Sequence, residues 1–183
     1  MLNSLVGIIA SRGGAANGTA YESIASASGT GSSGTITFSS IPSTYTSLQI
    51  RLLGNTTTAA GFNFGLRING STTTADYYAH KLDGDGASVT AAAFTGNNYI
   101  KCGEVSGNAS NFTVAVFDLH DYASATQKKT IRTFSGYDNN GSGFLQLYSG
   151  LYQQNTAITS VSVYTTDNWT TTTRVALYGI KGA

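Results

Sequence analysis

Phe62-Asn63-Phe64-Gly65-Leu66-Arg67-Ile68-Asn69-Gly70 places apolar side chains at every second position, with Asn, Gly or Arg between them. Successive side chains of a strand point to opposite faces, so this period of two puts Phe62, Phe64, Leu66 and Ile68 on one buried face. The stretch ends at Asn69-Gly70, the dipeptide that most readily supplies positive φ, which predicts a hairpin there. Leu48-Gln49-Ile50-Arg51-Leu52 repeats the pattern before a turn at Gly54-Asn55. The same reading predicts strands over 35–39, 77–82, 99–104, 112–120, 129–135, 144–152, 158–164 and 174–180, bounded by Gly, Asn, Asp and Ser clusters. No window of helical length keeps an i, i+3, i+4, i+7 apolar stripe free of Gly. Ten or so short strands at this spacing, roughly one per turn cluster, predict an all-β chain, a jelly-roll-like antiparallel β-sandwich.

Outside that pattern lies the start of the chain. Leu2, Leu5, Val6, Ile8 and Ile9 form a short apolar stretch, and Gly13-Gly14-Ala15-Ala16-Asn17-Gly18-Thr19-Ala20 follows as a connector of small residues. Residues 1–20 are therefore expected to be an extended N-terminal arm, and 21–183 the sandwich domain. The apolar stretch has no basic residue before it and is broken by Asn3, Ser4 and Gly7, unlike a secretory signal.

The 183 residues carry a net charge of +1, and only 10% are charged, against about 25% in an average globular chain. Ser and Thr fill about a quarter of the sequence. Such totals show no electrostatic footprint for nucleic acid or an anionic membrane. A single Cys102 supplies neither an internal disulfide nor a Cys-rich metal site, so apolar burial has to stabilise the fold. Several strands carry apolar residues of both parities, as at Val114, Val116, Phe117 and Leu119 or at Leu145, Leu147, Tyr148 and Leu151. A face that would meet water is then partly apolar, which points to association surfaces, the alternative being cover by loops or the N-terminal arm within the monomer.

Chemistry-bearing patterns are sparse. Asp118 and His120 share a strand face, but a Ser/His/Asp hydrolase also needs a strand-turn-helix elbow that an all-β chain does not offer. Asp83-Gly84-Asp85-Gly86 has the look of a calcium loop, yet Ala87 and Phe94 stand where ligands would be required, so a turn is expected and no metal is assigned. Gly29-Thr30-Gly31-Ser32-Ser33-Gly34 lacks the Lys-Ser/Thr of a phosphate loop and is read as a plain loop. Lys128, Lys129 and Arg132, near Asp118 and Asp121, are expected to form neutralised pairs on a strand face. Trp169 belongs either to the core or to a carbohydrate-stacking platform. A two-Glu glycosidase would have to use Glu22 and Glu104, the only two glutamates. No cofactor and no enzymatic activity are expected.

Six strings occur in order along the chain: Tyr21-Glu22-Ser23-Ile24-Ala25, Ile36-Thr37-Phe38-Ser39-Ser40-Ile41-Pro42-Ser43-Thr44-Tyr45, Leu48-Gln49-Ile50-Arg51, His80-x-Leu82-x-Gly84-Asp85-Gly86-Ala87-Ser88-Val89, Lys129-Thr130-Ile131-Arg132 and Ala176-Leu177-Tyr178-Gly179-Ile180-Lys181-Gly182. Over 21–182 the chain thereby resembles small virion proteins of tailed bacteriophages, notably those of aquatic bacteria and cyanobacteria. The resemblance implies a structural component of the particle, without fixing head or tail. Its first form is a capsid decoration, or cement, protein on the virion surface. Such a protein would bind the major capsid protein, associate as a homotrimer, and use Leu2, Leu5, Val6, Ile8 and Ile9 of the arm on a neighbouring subunit. The alternative is a tail-fibre or receptor-binding module that recognises host carbohydrate through Trp169.

Overall fold

The computed structural model describes residues 20–58, 61–106, 108 and 110–182, so the arm residues Leu2, Leu5, Val6, Ile8 and Ile9 lie outside the described residues. Alternation becomes strand pairing in ten of the twelve strands of the described residues. The strands are β1 (Tyr21–Ser28), β2 (Thr35–Phe38), β3 (Ser47–Gly54), β4 (Asn63–Ile68), β5 (Tyr77–Gly84), β6 (Val89–Phe94), β7 (Ile100–Glu104), β8 (Thr113–His120), β9 (Lys129–Asp138), β10 (Gly143–Tyr152), β11 (Val161–Thr165) and β12 (Arg174–Ile180), with one short 3₁₀ turn at Thr74–Asp76. An eight-stranded sheet in the order β1-β12-β3-β8-β9-β10-β5-β6 packs on a four-stranded sheet, β2-β11-β4-β7, and neighbouring strands are antiparallel throughout. The expected antiparallel β-sandwich is present.

Between the sheets the inward positions are those the alternation selects. Leu48, Ile50 and Leu52 of β3 and Ala115, Phe117 and Leu119 of β8 meet Phe64, Leu66 and Ile68 of β4 and Val161 and Val163 of β11, all buried. Phe64 presents its ring edge-on to Phe117 at 5.9 Å and to Trp169 at 6.4 Å between centroids. These aromatic pairs add about 0.5–1.5 kcal/mol each to what burial supplies.

Two strands are absent from the sequence-based expectation, each for a local reason. Tyr21-Glu22-Ser23-Ile24-Ala25-Ser26-Ala27-Ser28 is small and polar, and its register on β12 shifts between Ser23 and Ala25, which breaks the period. Val89-Thr90-Ala91-Ala92-Ala93-Phe94 is alanine-rich, of low β propensity, and is held as β6 by its pairing with β5.

The hairpin expected at Asn69-Gly70 is not formed. Both residues do take positive φ, 50° and 69°, but the chain then crosses from β4 in the small sheet to β5 in the large one. Asn69 serves instead as a clamp. Its Oδ1 accepts the Thr159 and Ser160 amides, and its Nδ2 donates to the Ala157 carbonyl, fixing the approach to β11.

Sheet edges are finished unequally. β7 closes the small sheet, and side chains of the large sheet occupy its edge. The Gln146 Oε1 accepts the Glu104 amide at 2.9 Å, and Ser135 donates to the Cys102 carbonyl. β1 is bulged and carries the Glu22–Lys181 ion pair, and β2 is only four residues long. All three are standard ways to discourage further pairing.

The two parities of β8 give a direct check of this architecture. Phe117→Ala, at a fully buried site, should cost about 3–5 kcal/mol in urea unfolding. Val114→Ala, three residues away on the exposed face, should stay within about 0.5 kcal/mol.

Candidate functional site

The outer face of the large sheet carries the most unusual surface of the described residues. Cross-strand register aligns its side chains in rows. One row runs Arg174, Leu53, Val114, Gly136, Leu145, Gly84, Val89 from β12 to β6. The next runs Ala176, Arg51, Val116, Phe134, Leu147, Leu82, Ala91. Leu53, Val114, Phe134, Leu145, Leu147, Leu82 and Val89 are all exposed, from 43% at Leu53 to 73% at Val89. They form one contiguous apolar band across β3, β8, β9, β10, β5 and β6, of the kind that marks an interaction surface. Gly136 and Gly84 flank Leu145 in its row, so the ridge is notched rather than flat. One shallow depression in it is lined by Leu82, Val89, Phe134, Leu145 and Leu147.

The third row turns polar. Arg51 Nε donates to Gln49 Oε1 at 2.9 Å, Gln49 Nε2 donates to Asp118 Oδ1 at 3.0 Å, and Arg132 lies 4.0 Å from the other Asp118 oxygen. Arg132 also approaches His120 Nε2 at 3.5 Å. An apolar band bordered by a connected polar strip has the core-and-rim layout of a protein interface. Sequence parity located Val114, Val116, Leu145 and Leu147. It missed Leu53, Leu82 and Phe134, which only the register joins to the band, and Val89, because alanine-rich β6 is not among the strands the sequence predicts.

Other candidates are redistributed. Trp169 is fully buried, with Nε1 donating to the Val163 carbonyl, so of its two readings the core one applies and the alternative, a stacking platform, is set aside because no ring face is open to a sugar. The Gly29–Gly34 loop covers it: Gly31 donates to the Trp169 carbonyl, and the Trp169 amide donates to Ser33. A Cβ on Gly29 would sit 2.8 Å from the Trp169 Cβ and 2.2 Å from the Thr170 carbonyl oxygen, so only glycine allows this approach. Asp118 and His120 do share the outer face, and Arg132 stands beside both. Glu22 sits on β1 at one edge of the large sheet and Glu104 on β7 at the far edge of the small one, so the sandwich does not bring the two together.

The expectation of neutralised pairs holds for Arg132 alone. Lys129 is buried, and its ammonium donates to the carbonyls of Ser124, Gln127 and Asn155, tying the β8–β9 connection to the chain beyond β10. Lys128 donates to Gln153. Burial pushes the Lys129 pKa down, opposed by the nearby charge of Asp121.

Of the Asp83-Gly84-Asp85-Gly86 segment, Asp83 and Gly84 complete β5 and the expected turn runs from Asp85 to Ser88. Asp85 Oδ1 accepts the Ala87 and Ser88 amides, and Gly86 takes φ 90°. Asp83 faces inward, 2.6 Å from Lys81 Nζ and hydrogen-bonded by Thr90 of β6. Burial alone would raise its pKa, but the Lys81 and Thr90 contacts outweigh burial and the carboxyl ends below its usual value. Cys102 is wholly buried, and desolvation pushes its thiol up to about 12.

No family model, curated protein or solved structure matches the chain.

Two measurements follow from these side chains. The Cys102 thiol should react with a disulfide reagent only as fast as the protein unfolds, and prompt labelling of the native protein would contradict the burial. A carboxyl whose folded pKa is depressed stabilises the fold above its unfolded pKa, and that stability is lost as pH falls through the folded value. Lys81→Met removes the counter-charge that depresses the Asp83 pKa, so it should lower urea stability at neutral pH, and the gap to the native protein should narrow as pH falls through the folded Asp83 value.

Proposed function

We propose that the protein is a structural component of a tailed-bacteriophage particle, a decoration protein that binds the major capsid protein. The observation that carries this reading is the apolar band on the outer face of the large sheet, bordered by the strip from Arg51 to Arg132. A binding protein needs such a patch held rigidly, and strands positioned by pairing on both sides hold it with little freedom left to lose. The resemblance of the quoted strings to small virion proteins suggests a coat subunit as the partner.

The connectivity supports the scaffold expected for this role. The strand order β1-β12-β3-β8 facing β2-β11-β4-β7 fits a jelly roll, to which the hairpins β5-β6 and β9-β10 add four strands on one side. Jelly rolls recur in viral capsid proteins and in lectins, so this support is an analogy at the level of fold. Few charges also suit a protein displayed to the medium, because uncharged polar surface is insensitive to salt. The arm residues Leu2, Leu5, Val6, Ile8 and Ile9 remain part of the proposal as a second contact on a neighbouring subunit. The tail-fibre reading is weaker, since carbohydrate would have to be bound without Trp169.

Binding of purified protein to undecorated capsid shells tests the proposal. Burying a Leu or Phe side chain contributes about 1.5–3 kcal/mol, so Phe134→Ser with Leu147→Ser should weaken shell binding by about 100-fold or more. Their exposure means that the melting temperature should hardly change. Native protein with no affinity for shells, or unaltered binding by the double variant, would refute the role assigned to the band.

A further inference from the structure

The large sheet ends at β6, and among the described residues no strand lies beyond it. Unlike β1, β2 and β7, this edge carries none of the usual protections. Val89-Thr90-Ala91-Ala92-Ala93-Phe94 has no charge, no proline and no bulge in its register on β5. Its inner side is anchored: Thr90 donates to Asp83, and the Phe94 ring stacks on Tyr148 with the Lys101 ammonium 4.4 Å from its centroid. The strand is thus anchored on its inner side while its far edge faces out.

Which backbone groups face out follows from the hairpin. The Asp85 amide donates to the Ser88 carbonyl, which makes that pair a hydrogen-bonded one. Bonded pairs alternate in an antiparallel ladder, so Thr90 and Ala92 turn their amides and carbonyls to β5, whereas Val89, Ala91 and Ala93 turn theirs away. All three also present their side chains on the outer face, continuing the apolar band.

We propose that β6 pairs with β6 of a second copy of this chain, antiparallel about a two-fold axis at Ala91, joining two large sheets into one. The chemistry of the strand selects this partner. At a two-fold seam each residue near the axis meets its own copy, so any charge there would repel itself. β6 contains none, and the residue at the axis is alanine, small enough for close approach. The register pairs Ala91 with Ala91 and Val89 with Ala93, and roughly six backbone hydrogen bonds then form, two for each facing bonded pair. Asp85 of one hairpin comes beside Asn97 of the other copy, an uncharged amide. The apolar bands of the two copies become continuous across the seam, which enlarges the surface without altering it. This inference does not depend on what the band binds.

The test is the mass of the native protein in solution, by sedimentation at micromolar concentration, together with three substitutions on β6. Native protein should contain an even number of copies. Ala91→Pro removes an amide that faces away from β5, and Ala91→Lys places two ammonium groups at the axis; each should halve the mass and leave the melting temperature of the monomer almost unchanged. Ala91→Cys should cross-link to its own copy on mild oxidation, whereas Ala93→Cys, opposite Val89, should not. A monomeric native protein would overturn the proposal, as would an oligomer whose mass survives both Ala91→Pro and Ala91→Lys. Equal cross-linking at 91 and 93 would reject the register. An oligomer lost on removal of residues 1–13 but not on changing Ala91 would give association to the arm instead and reject the β6 seam.

Discussion

One layer of this sandwich is twice as wide as the other, and the place where they overlap is fixed by Phe64. Its ring reaches from β4 of the small sheet to Phe117 of the large one and to Trp169 beside them. With that contact set, β4 lies over the middle of the large sheet and β7 comes to rest over β9, β10 and β5. β6 is left beyond the edge of the small sheet, and long side chains take over where strands run out. Lys101 of β7 is buried although it is a lysine, its ammonium against Phe94 and 3.6 Å from Glu104. Burial pushes its pKa down, and Glu104 pulls it back up. The overhang is therefore a packed feature of the fold, and β6 owes its order to it.

Scarcity of charge shapes the rest of the surface. Lys81 with Asp83 and Lys101 with Glu104 are local pairs, and the one between Lys181 and Glu22, distant in sequence, is too exposed to add much stability. Stability comes instead from apolar burial and from Ser, Thr and Asn side chains that bond backbone groups at turns. Thr173 illustrates this: its hydroxyl accepts the Asn55 amide and donates to the Asn55 carbonyl, so the start of β12 is joined to the end of β3 without any charge. A chain that spends its polar residues on its own backbone leaves its outer face free to be apolar.

That outer face has no counterpart in any single strand. Phe134 lies between Thr133 and Ser135, both buried, so β9 read alone looks like a strand with one stray aromatic. Leu82 sits similarly in β5, between Lys81 and Asp83. Only when β9, β10 and β5 lie side by side do Phe134, Leu147 and Leu82 touch in one row.

Local alternation was enough to determine the secondary structure of most of the chain, the all-β class and the inward residues Leu48, Ile50, Leu52, Phe64, Leu66 and Ile68, because the period of two is written in consecutive residues. It also gave the turn at Asp85-Gly86, where short-range hydrogen bonds decide the conformation. Tertiary structure decided everything that depends on which strand lies beside which. Asn69-Gly70 has the chemistry of a hairpin, but β4 finds β7 and β11 as its neighbours, and a turn cannot choose a partner that lies far along the chain. Trp169 is buried because a glycine loop about 140 residues earlier in the sequence folds over it. The candidate site lies mostly in this second category, since mixed parity pointed only to Val114, Val116, Leu145 and Leu147. Its residues come from six strands, and register, the quantity that aligns them, is a property of pairs of strands and not of any one of them.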